Sequence, residues 1–268
     1  MAVVTNGGVD LYYEAKGDPT PPEDADRDVD AVAFVNPAGY GAWVWGWQHA
    51  ALASGFETVV WDLRGTGRSD APAGPYTVET LAGDLEAVLA DHGVADAHVV
   101  GAGLGGMVAL EYAHRYGRAT SLTLFASAAS GDRVDADALD SLFVPREDPA
   151  ALRASLRNAF AADLDAHEDV VSDIVGWRRE EDADRGGFEA QAAAMRAFDR
   201  SDSLYEITAP ARVYHGVDDA VVPADAGRDL ADGLPRGEFT AVEGGHLCFI
   251  EESAAVNDAL LGAFDGTE

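Results

Sequence analysis

Short runs of β-branched and aromatic residues recur along the chain, and most of them are bounded by glycine, proline or aspartate. Runs of this length and composition are typical of β-strands that are buried in a sheet. The strands predicted in this way are residues 9–14, 29–35, 57–61, 98–100, 121–125, 211–215 and 238–242.

Alanine- and leucine-rich segments with helical periodicity lie between most of these strands. The predicted helices are residues 45–53, 78–91, 104–116, 224–233 and 253–264. Because strands alternate with helices, the sequence predicts an α/β fold with a largely parallel sheet and helices on both of its faces. Residues 18–28 are rich in proline and acids, so we expect a solvated loop there, between an opening hairpin and the next strand.

A long segment, residues 130–205, interrupts the alternation of strands and helices. It contains helical stretches at 150–161 and 189–198 and no good strand. An insertion of this length between two strands of a sheet is most simply a helical lid. We therefore expect an α/β core, residues 1–129 and 206–268, that carries a lid.

The charge of the chain narrows the range of partners. Its 268 residues contain 48 acids and 18 bases, which gives a formal net charge of −30, and Lys16 is the single lysine. That balance repels nucleic acid and anionic membranes, so neither is an expected partner. Acids spread over the whole chain resemble the surface of a protein from a salt-rich, haloarchaeon-like cytoplasm, where salt screens the self-repulsion. A generic acidic protein is the alternative.

Other features of the sequence bear on location and redox chemistry. No run of apolar residues reaches the length of about 20 that a membrane helix needs, and residues 1–6 lack the basic and apolar regions of a signal peptide. We therefore expect a cytoplasmic protein. Cys248 is the single cysteine, which excludes an intramolecular disulfide and a thiolate metal cluster.

Glycine occupies every second position of the run GAGLG at residues 101–105, between a predicted strand and a predicted helix. This spacing indicates a tight turn that needs positive φ and close packing of helix against strand. A dinucleotide-binding fingerprint, GxGxxG, would also fit residues 101–106. That fingerprint normally opens its βαβ unit and is followed by an acid at the end of the next strand. Here the turn comes late and no acid follows, so we disfavour that alternative.

Motifs that carry chemistry occur in a fixed order along the chain. They are FVNPAG at residues 34–39, WDLRGTGRSD at 61–70, the glycine turn at 101–105, GVDDAVVP at 216–223 and GGH at 244–246. Together they resemble the α/β-hydrolase superfamily over nearly all of residues 9–264. The loop at residues 36–39 and Trp45 are most similar to the enol-lactonase and small-esterase branch. The resemblance implies the α/β-hydrolase fold, a small-molecule substrate, and no need for a metal or an organic cofactor.

The resemblance also implies the positions of a catalytic triad. His246 occupies the place of the family's histidine base, and Asp219 has the family's spacing for the carboxylate that orients this histidine, with Asp218 as the near competitor. The departure is at the nucleophile, because the family's GxSxG has serine where this chain has Gly103. No hydroxyl or thiol is present there to form an acyl-enzyme, and such a loss costs about a millionfold in turnover.

The family's oxyanion hole consists of backbone, so it survives the loss of the serine. The resemblance places its donors at the N–H of Leu104, one residue past the glycine, and at the N–H of Ala38 in the loop after the strand at 29–35. Pro37 has no N–H and is excluded. An anion or a carbonyl oxygen is favoured at such a helix N-terminus.

Two more residues are expected to line the substrate pocket, Trp45 and Ser127. Trp45 alternates with Trp43 and Trp47 beside the oxyanion loop, where at least one of the three rings is expected to face the pocket and the others to pack in the core. Cys248 and Ser127 are the alternative nucleophiles. We favour neither, because a single cysteine is more often a small buried hydrophobe and Ser127 fits a turn at the pocket floor.

Three hypotheses for function remain open. In the first, His246 and Asp219 activate a water that hydrolyses a small ester, lactone or other activated carbonyl compound, or the pair carries out a cofactor-free proton transfer or lyase reaction. In the second, the chain is a non-catalytic protein that binds a small molecule or a partner. In the third, glycine is an introduced substitution at position 103. The retained histidine and aspartate favour an enzyme, and the missing serine favours a binding protein.

Overall fold

The computed structural model describes residues 1–17 and 31–265. The loop expected at residues 18–28 lies outside the described residues, as do the first two positions of the strand expected at 29–35. The described residues form a single eight-stranded sheet with helices packed against it.

The sheet is mostly parallel. Its strands are β1 (Ala2–Asn6), β2 (Val9–Lys16), β3 (Ala31–Val35), β4 (Glu57–Trp61), β5 (Ala97–Ala102), β6 (Ala119–Phe125), β7 (Ala211–Gly216) and β8 (Gly237–Val242). Their order is β1-β2-β4-β3-β5-β6-β7-β8, and β2 pairs antiparallel with both β1 and β4. The neighbouring pairs from β4 to β8 are parallel. The predicted α/β class is therefore confirmed.

Burial explains which strands are central. Every residue of β3 and of β5 is buried, as expected for parallel strands that are covered by helices on both faces. The edge strands β1 and β8 have no fully buried residue, and partly buried and exposed positions mix along them. Strand β1 was not among the strands predicted individually, because few of its residues contribute to the core.

Ten α-helices are present among the described residues. They are α1 (Gly46–Leu52), α2 (Val78–His92), α3 (Leu104–Tyr116), α4 (Ala136–Asp140), α5 (Pro149–Ser155), α6 (Glu168–Glu181), α7 (Arg185–Ala197), α8 (Ala224–Gly233), α9 (Cys248–Glu251) and α10 (Ser253–Asp265). The helix predicted at 45–53 begins one residue later, because Ala42–Trp45 forms a 3-10 turn. None of the helices in the described ranges has the length and apolar character needed to cross a membrane.

The segment between β6 and β7 is helical and contains α4, α5, α6 and α7. The helix predicted at 150–161 ends early, at Ser155, and a 3-10 turn follows at Leu156–Asn158. The chain leaves helical geometry there, and the carbonyl oxygen of Ala159 accepts a hydrogen bond from the N–H of Leu247, 3.0 Å away. The division of the chain into a core and a lid at residues 130 and 205 stays a prediction.

The parallel register brings the carboxyl ends of β3, β5, β6 and β7 to one edge of the sheet. Ligands of open α/β sheets bind outside this edge, where the loops that follow the strands meet. The glycine turn after β5, the loop after β3 and the loop after β7 are all located here, so the candidate residues converge although they are distant in sequence.

Candidate active site

Gly103 lies in a sharp turn between β5 and α3, with φ of 52° and ψ of −116°. Residues with a Cβ rarely adopt this conformation. The flanking glycines are needed for close approach of the backbone: a Cβ on Gly101 would lie 2.2 Å from the carbonyl oxygen of Gly105, and a Cβ on Gly105 would lie 2.0 Å from that of Val35. The glycine turn therefore has the predicted strand-turn-helix form.

His246 and Asp219 are in contact. The Nδ1 atom of His246 lies 3.0 Å from Oδ2 and 3.1 Å from Oδ1 of Asp219, and both side chains are buried. Because an ionised carboxylate only accepts hydrogen bonds, Nδ1 carries the proton of the neutral imidazole and the lone pair is on Nε2. His246 is thus held in the tautomer that a general base requires.

The free nitrogen of His246 faces the turn. A Cβ placed on Gly103 would lie 3.1 Å from Nε2 and 3.4 Å from Cε1 of His246, and 3.5 Å from Cβ of Pro37. The imidazole therefore points at the position where the side chain of a nucleophile would begin. The structure brings together the three positions Gly103, Asp219 and His246.

Several donors stabilise the charge of Asp219. Its Oδ1 atom accepts the N–H groups of Val221, at 2.8 Å, and Val222, at 3.0 Å. Burial alone would raise the pKa of this carboxyl, but the neighbouring His246 and His215 outweigh it and hold the pKa well below its usual range. Asp219 is therefore ionised at neutral pH and can stabilise an imidazolium.

A second imidazole lies beside Asp219 and was not singled out from the sequence. The Nε2 atom of His215, at the end of β7, is 2.7 Å from the carbonyl oxygen of Val222 and 3.3 Å from Oδ2 of Asp219. Since both neighbours are acceptors, Nε2 carries a proton and His215 helps to fix the carboxylate. Asp218, the competitor for the same role, is exposed to solvent.

The two expected oxyanion donors flank the turn. Leu104 is the first residue of α3, so its N–H has no acceptor within the helix. Ala38 lies in the buried loop after β3, and in the described part of the chain no acceptor is bonded to its N–H. The next amide, of Gly39, donates to Oε1 of Gln191 at 2.7 Å and is not free.

Gln191 is a further residue of the site, and it is not among the residues predicted from the sequence. Besides accepting the Gly39 N–H, its Nε2 atom donates to the carbonyl oxygen of Arg64 at 2.9 Å and to Oγ1 of Thr66 at 2.6 Å. The side chain is fully buried on α7. It therefore connects the helical segment to the loop that carries Ala38. A polar residue on the alanine-rich inner face of α7 is the one signal in the sequence that points to it.

Ser127 and Trp45, the expected pocket residues, are both fully buried. The hydroxyl of Ser127 donates to the carbonyl oxygen of Gly103 at 2.9 Å, so it braces the turn from behind. The ring of Trp45 stacks on Phe249, with 4.4 Å between the centroids, and also contacts Phe34. The structure thus places Trp45 in the core behind the site, whereas a pocket wall was expected.

Cys248 is the first residue of α9 and is fully buried. Burial raises the pKa of its thiol to about 12, so the thiol is protonated and unreactive at neutral pH. This environment fits a small buried side chain better than a replacement nucleophile. Within residues 1–17 and 31–265, no group of three His, Cys, Asp or Glu side chains is placed to hold a metal ion.

A comparison with known proteins identifies the family of this chain. The family model described as "alpha/beta hydrolase fold" matches residues 32–253. A protein named "Putative carbamate hydrolase RutD" from Azorhizobium caulinodans is 30% identical over 98% of this chain and 97% of its own length. A protein of the same name from Variovorax paradoxus is 32% identical over 94% of each chain.

Solved structures agree with this match. A hydrolase from Pseudomonas aeruginosa PA01 superposes with a TM-score of 0.83 and 28% sequence identity, covering 99% of this chain and 98% of the other. The enol-lactonase from Burkholderia xenovorans LB400 superposes with a TM-score of 0.80 and 25% identity, covering 97% and 98% of the two chains.

Proposed function

The chain belongs to the alpha/beta-hydrolase fold family, and on this premise we propose that it hydrolyses a small ester, lactone or related activated carbonyl compound with a water that His246 activates. One observation carries the proposal: Nε2 of His246 lies 3.1 Å from the position of a Cβ on Gly103. An oxygen atom at that position is within hydrogen-bond distance of the imidazole, and it lies beside the N-terminus of α3.

The proposed reaction has two steps and no covalent enzyme intermediate. Nε2 of His246 removes a proton from the water as its oxygen attacks the carbonyl carbon of the substrate, and Asp219 stabilises the imidazolium that forms. The oxyanion of the tetrahedral intermediate accepts hydrogen bonds from the N–H groups of Ala38 and Leu104. The intermediate then collapses to the acid while His246 returns the proton to the departing alkoxide.

The size of each effect indicates the kind of substrate. General-base catalysis contributes about 10²- to 10⁴-fold, and one oxyanion donor about 10²- to 10³-fold. Without a serine the remaining machinery therefore suits acyl compounds with good leaving groups or ring strain. One relative is named as a carbamate hydrolase and another as an enol-lactonase, so carbamates and enol-lactones belong among the first substrates to assay.

A narrow cleft beside the oxyanion loop has a volume of about 10 Å³, which is room for about one water. Ala38 and Gly39 line it together with Leu142, Phe143 and Phe188. The guanidinium of Arg178 also borders this cleft, but it is paired with Asp182 at 2.6 Å and donates to protein oxygens. Arg178 is therefore engaged within the protein and is not a receptor for a substrate carboxylate.

The test is a panel of activated esters, lactones and carbamates, assayed in molar salt with the unaltered chain and with His246→Ala. We expect hydrolysis of at least one class that exceeds the His246→Ala rate by about two orders of magnitude or more. Equal rates for the two proteins on every class would contradict the proposal.

The second candidate function is non-catalytic binding of a small molecule, and Gly103 is the observation that favours it, because no side chain is available there for acyl transfer. The result that would favour this function over hydrolysis is binding of a carbonyl compound without turnover, with an affinity that His246→Ala leaves unchanged.

We also infer that the protein works in a salt-rich cytoplasm, because its acid excess is spread over the chain.

A further inference from the structure

A second cavity lies on the outside of the molecule, between α1 and α6, with a volume of about 750 Å³. We call it the tryptophan groove, because the rings of Trp43, Trp47 and Trp177 form much of its wall. Neither Gly103 nor His246 contributes to this wall. The tryptophan groove is therefore separate from the candidate active site, and a ligand can occupy it whether or not the proposed hydrolysis takes place.

The three indole rings form a corner. Trp43 and Trp177 are nearly parallel, with 6.1 Å between their centroids and 29° between their planes. Trp47 and Trp177 are almost perpendicular, at 5.8 Å and 81°. Trp177 is 37% exposed and the neighbouring Val170 is 43% exposed, so apolar surface is open to solvent here.

The carboxylates of Asp173 and Glu181, both on α6, border the same groove. Glu181 accepts a hydrogen bond from the backbone N–H of Trp43 at 3.1 Å. In the part of the chain that the structure describes, no arginine, lysine or histidine forms an ion pair with either acid. The nearby Arg68 is paired with Asp62 and Glu14 instead.

Glu181 is also partly desolvated. Burial, together with the charge of Asp62, raises the pKa of its carboxyl to about 7. A carboxylate in this position is stabilised by any cation that replaces the lost water. Indole faces attract cations as well, through the negative face of their π-system.

We propose that the tryptophan groove binds a small organic cation with an apolar surface, of the quaternary-ammonium class. The methyl groups of such a cation pack on the indole rings, and its charge faces Glu181 and Asp173. A neutral apolar molecule would leave both carboxylates without a counter-charge, and an anion would be repelled by them and by the net charge of −30. A compact ammonium or alkali cation holds its water too strongly to use the aromatic surface.

The test compares choline with its neutral isostere 3,3-dimethylbutan-1-ol, titrated into the full chain at constant KCl and followed by calorimetry and by the NMR signals of the indole N–H groups. We expect choline to bind and to shift the signals of Trp47 and Trp177, and the isostere to bind at least about tenfold more weakly. Choline binding should survive His246→Ala, because the tryptophan groove lies apart from the active site.

Variants with matched controls complete the test. Trp177→Ala and Glu181→Gln should each weaken choline binding by about tenfold. Tyr205→Ala and Glu180→Gln, which alter exposed residues outside the groove, should leave it unchanged. Trp177→Phe keeps an aromatic face and should retain part of the affinity, which separates loss of the ring from loss of the fold.

Four outcomes would overturn the proposal. The first is no choline binding to the unaltered chain, and the second is equal binding of choline and its isostere with no effect of Glu181→Gln. The third is loss of choline binding in His246→Ala, which would place the cation in the active site. The fourth is self-association that Trp177→Ala abolishes, which would identify the groove as a contact between copies of this chain.

Discussion

The Nε2 atom of His246 lies 3.1 Å from the position that a Cβ on Gly103 would occupy. The imidazole is buried, its other nitrogen is bonded to Asp219, and the turn it faces opens into the N-terminus of α3. A base that is aligned in this way can act on a hydroxyl of the protein or on a water. Because Gly103 supplies no hydroxyl, water is the reactant that the proposed mechanism uses.

Serine at position 103 should restore a nucleophile and strain the turn. A Cβ at φ of 52° costs about 1 to 3 kcal/mol, so Gly103→Ser should lower the free energy of unfolding while raising esterase activity. Gly103→Ala is the matched control, because it adds the same Cβ without the hydroxyl. Both variants should be destabilised to a similar degree, as measured by denaturant unfolding. If Gly103→Ser folds and is no more active than Gly103→Ala, the assignment of the base or of the oxyanion donors is wrong.

The two neighbouring aspartates should respond differently to the same substitution. Asp219→Asn would favour the wrong tautomer of His246 and remove the charge that stabilises its cation, a change worth about four orders of magnitude in serine proteases. Asp218→Asn removes an exposed carboxylate and should leave kcat/KM nearly unchanged. Steady-state rates on the best substrate of the panel check this prediction. A larger loss in Asp218→Asn would reverse the assignment of the two residues.

Gln191→Ala should disturb the oxyanion loop, because the side chain of Gln191 connects this loop to the helical segment. The substitution leaves the partly buried N–H of Gly39 without its acceptor, which costs about 1 kcal/mol, and it frees the adjacent Ala38 amide to move. We expect kcat to fall by about tenfold or more while KM changes less, since oxyanion stabilisation acts on the transition state. Hydrogen exchange at the Gly39 amide should accelerate in the same variant. Unchanged exchange and unchanged kcat would show that Gln191 does not position the loop.

Salt should stabilise the fold. At low ionic strength, near 0.01 M, the Debye length grows to about 30 Å, and a chain with a net charge of −30 repels itself strongly. The melting temperature should therefore fall steeply as KCl is lowered from about 3 M, where the Debye length is below about 3 Å, to about 0.05 M, where it exceeds about 10 Å. Equal melting temperatures at the two concentrations would remove the inference of a salt-rich cytoplasm.

The sequence predicts that Gly103, Asp219 and His246 lie close together, because the signals for their positions are local. Each lies in a short motif, within four residues of the end of a strand that reaches the same edge of the sheet. The glycines around position 103 are likewise dictated by local geometry, since a Cβ on Gly101 or Gly105 would collide with backbone atoms. Features of this kind can be predicted from short stretches of sequence.

Contacts that form when the helical segment packs against the rest of the protein cannot be predicted from short sequence motifs. Gln191 meets the oxyanion loop across 152 residues of sequence, and no short pattern encodes that encounter. The same cause explains why the helix predicted at 150–161 ends at Ser155, since Ala159 bonds to the loop of His246 instead. The burial of Trp45 depends on its stacking with Phe249, which is also distant in sequence.

The intact mass of the protein quenched during steady-state hydrolysis, with release of the leaving group followed in the same reaction, distinguishes direct attack by water from an acyl-enzyme. For the unaltered chain we expect turnover above that of His246→Ala, no burst of leaving group, and no added mass, whereas Gly103→Ser should show a burst and an acyl adduct. An acyl adduct on the unaltered chain, at Ser127, Cys248 or any other residue, would contradict hydrolysis by a water that His246 and Asp219 activate.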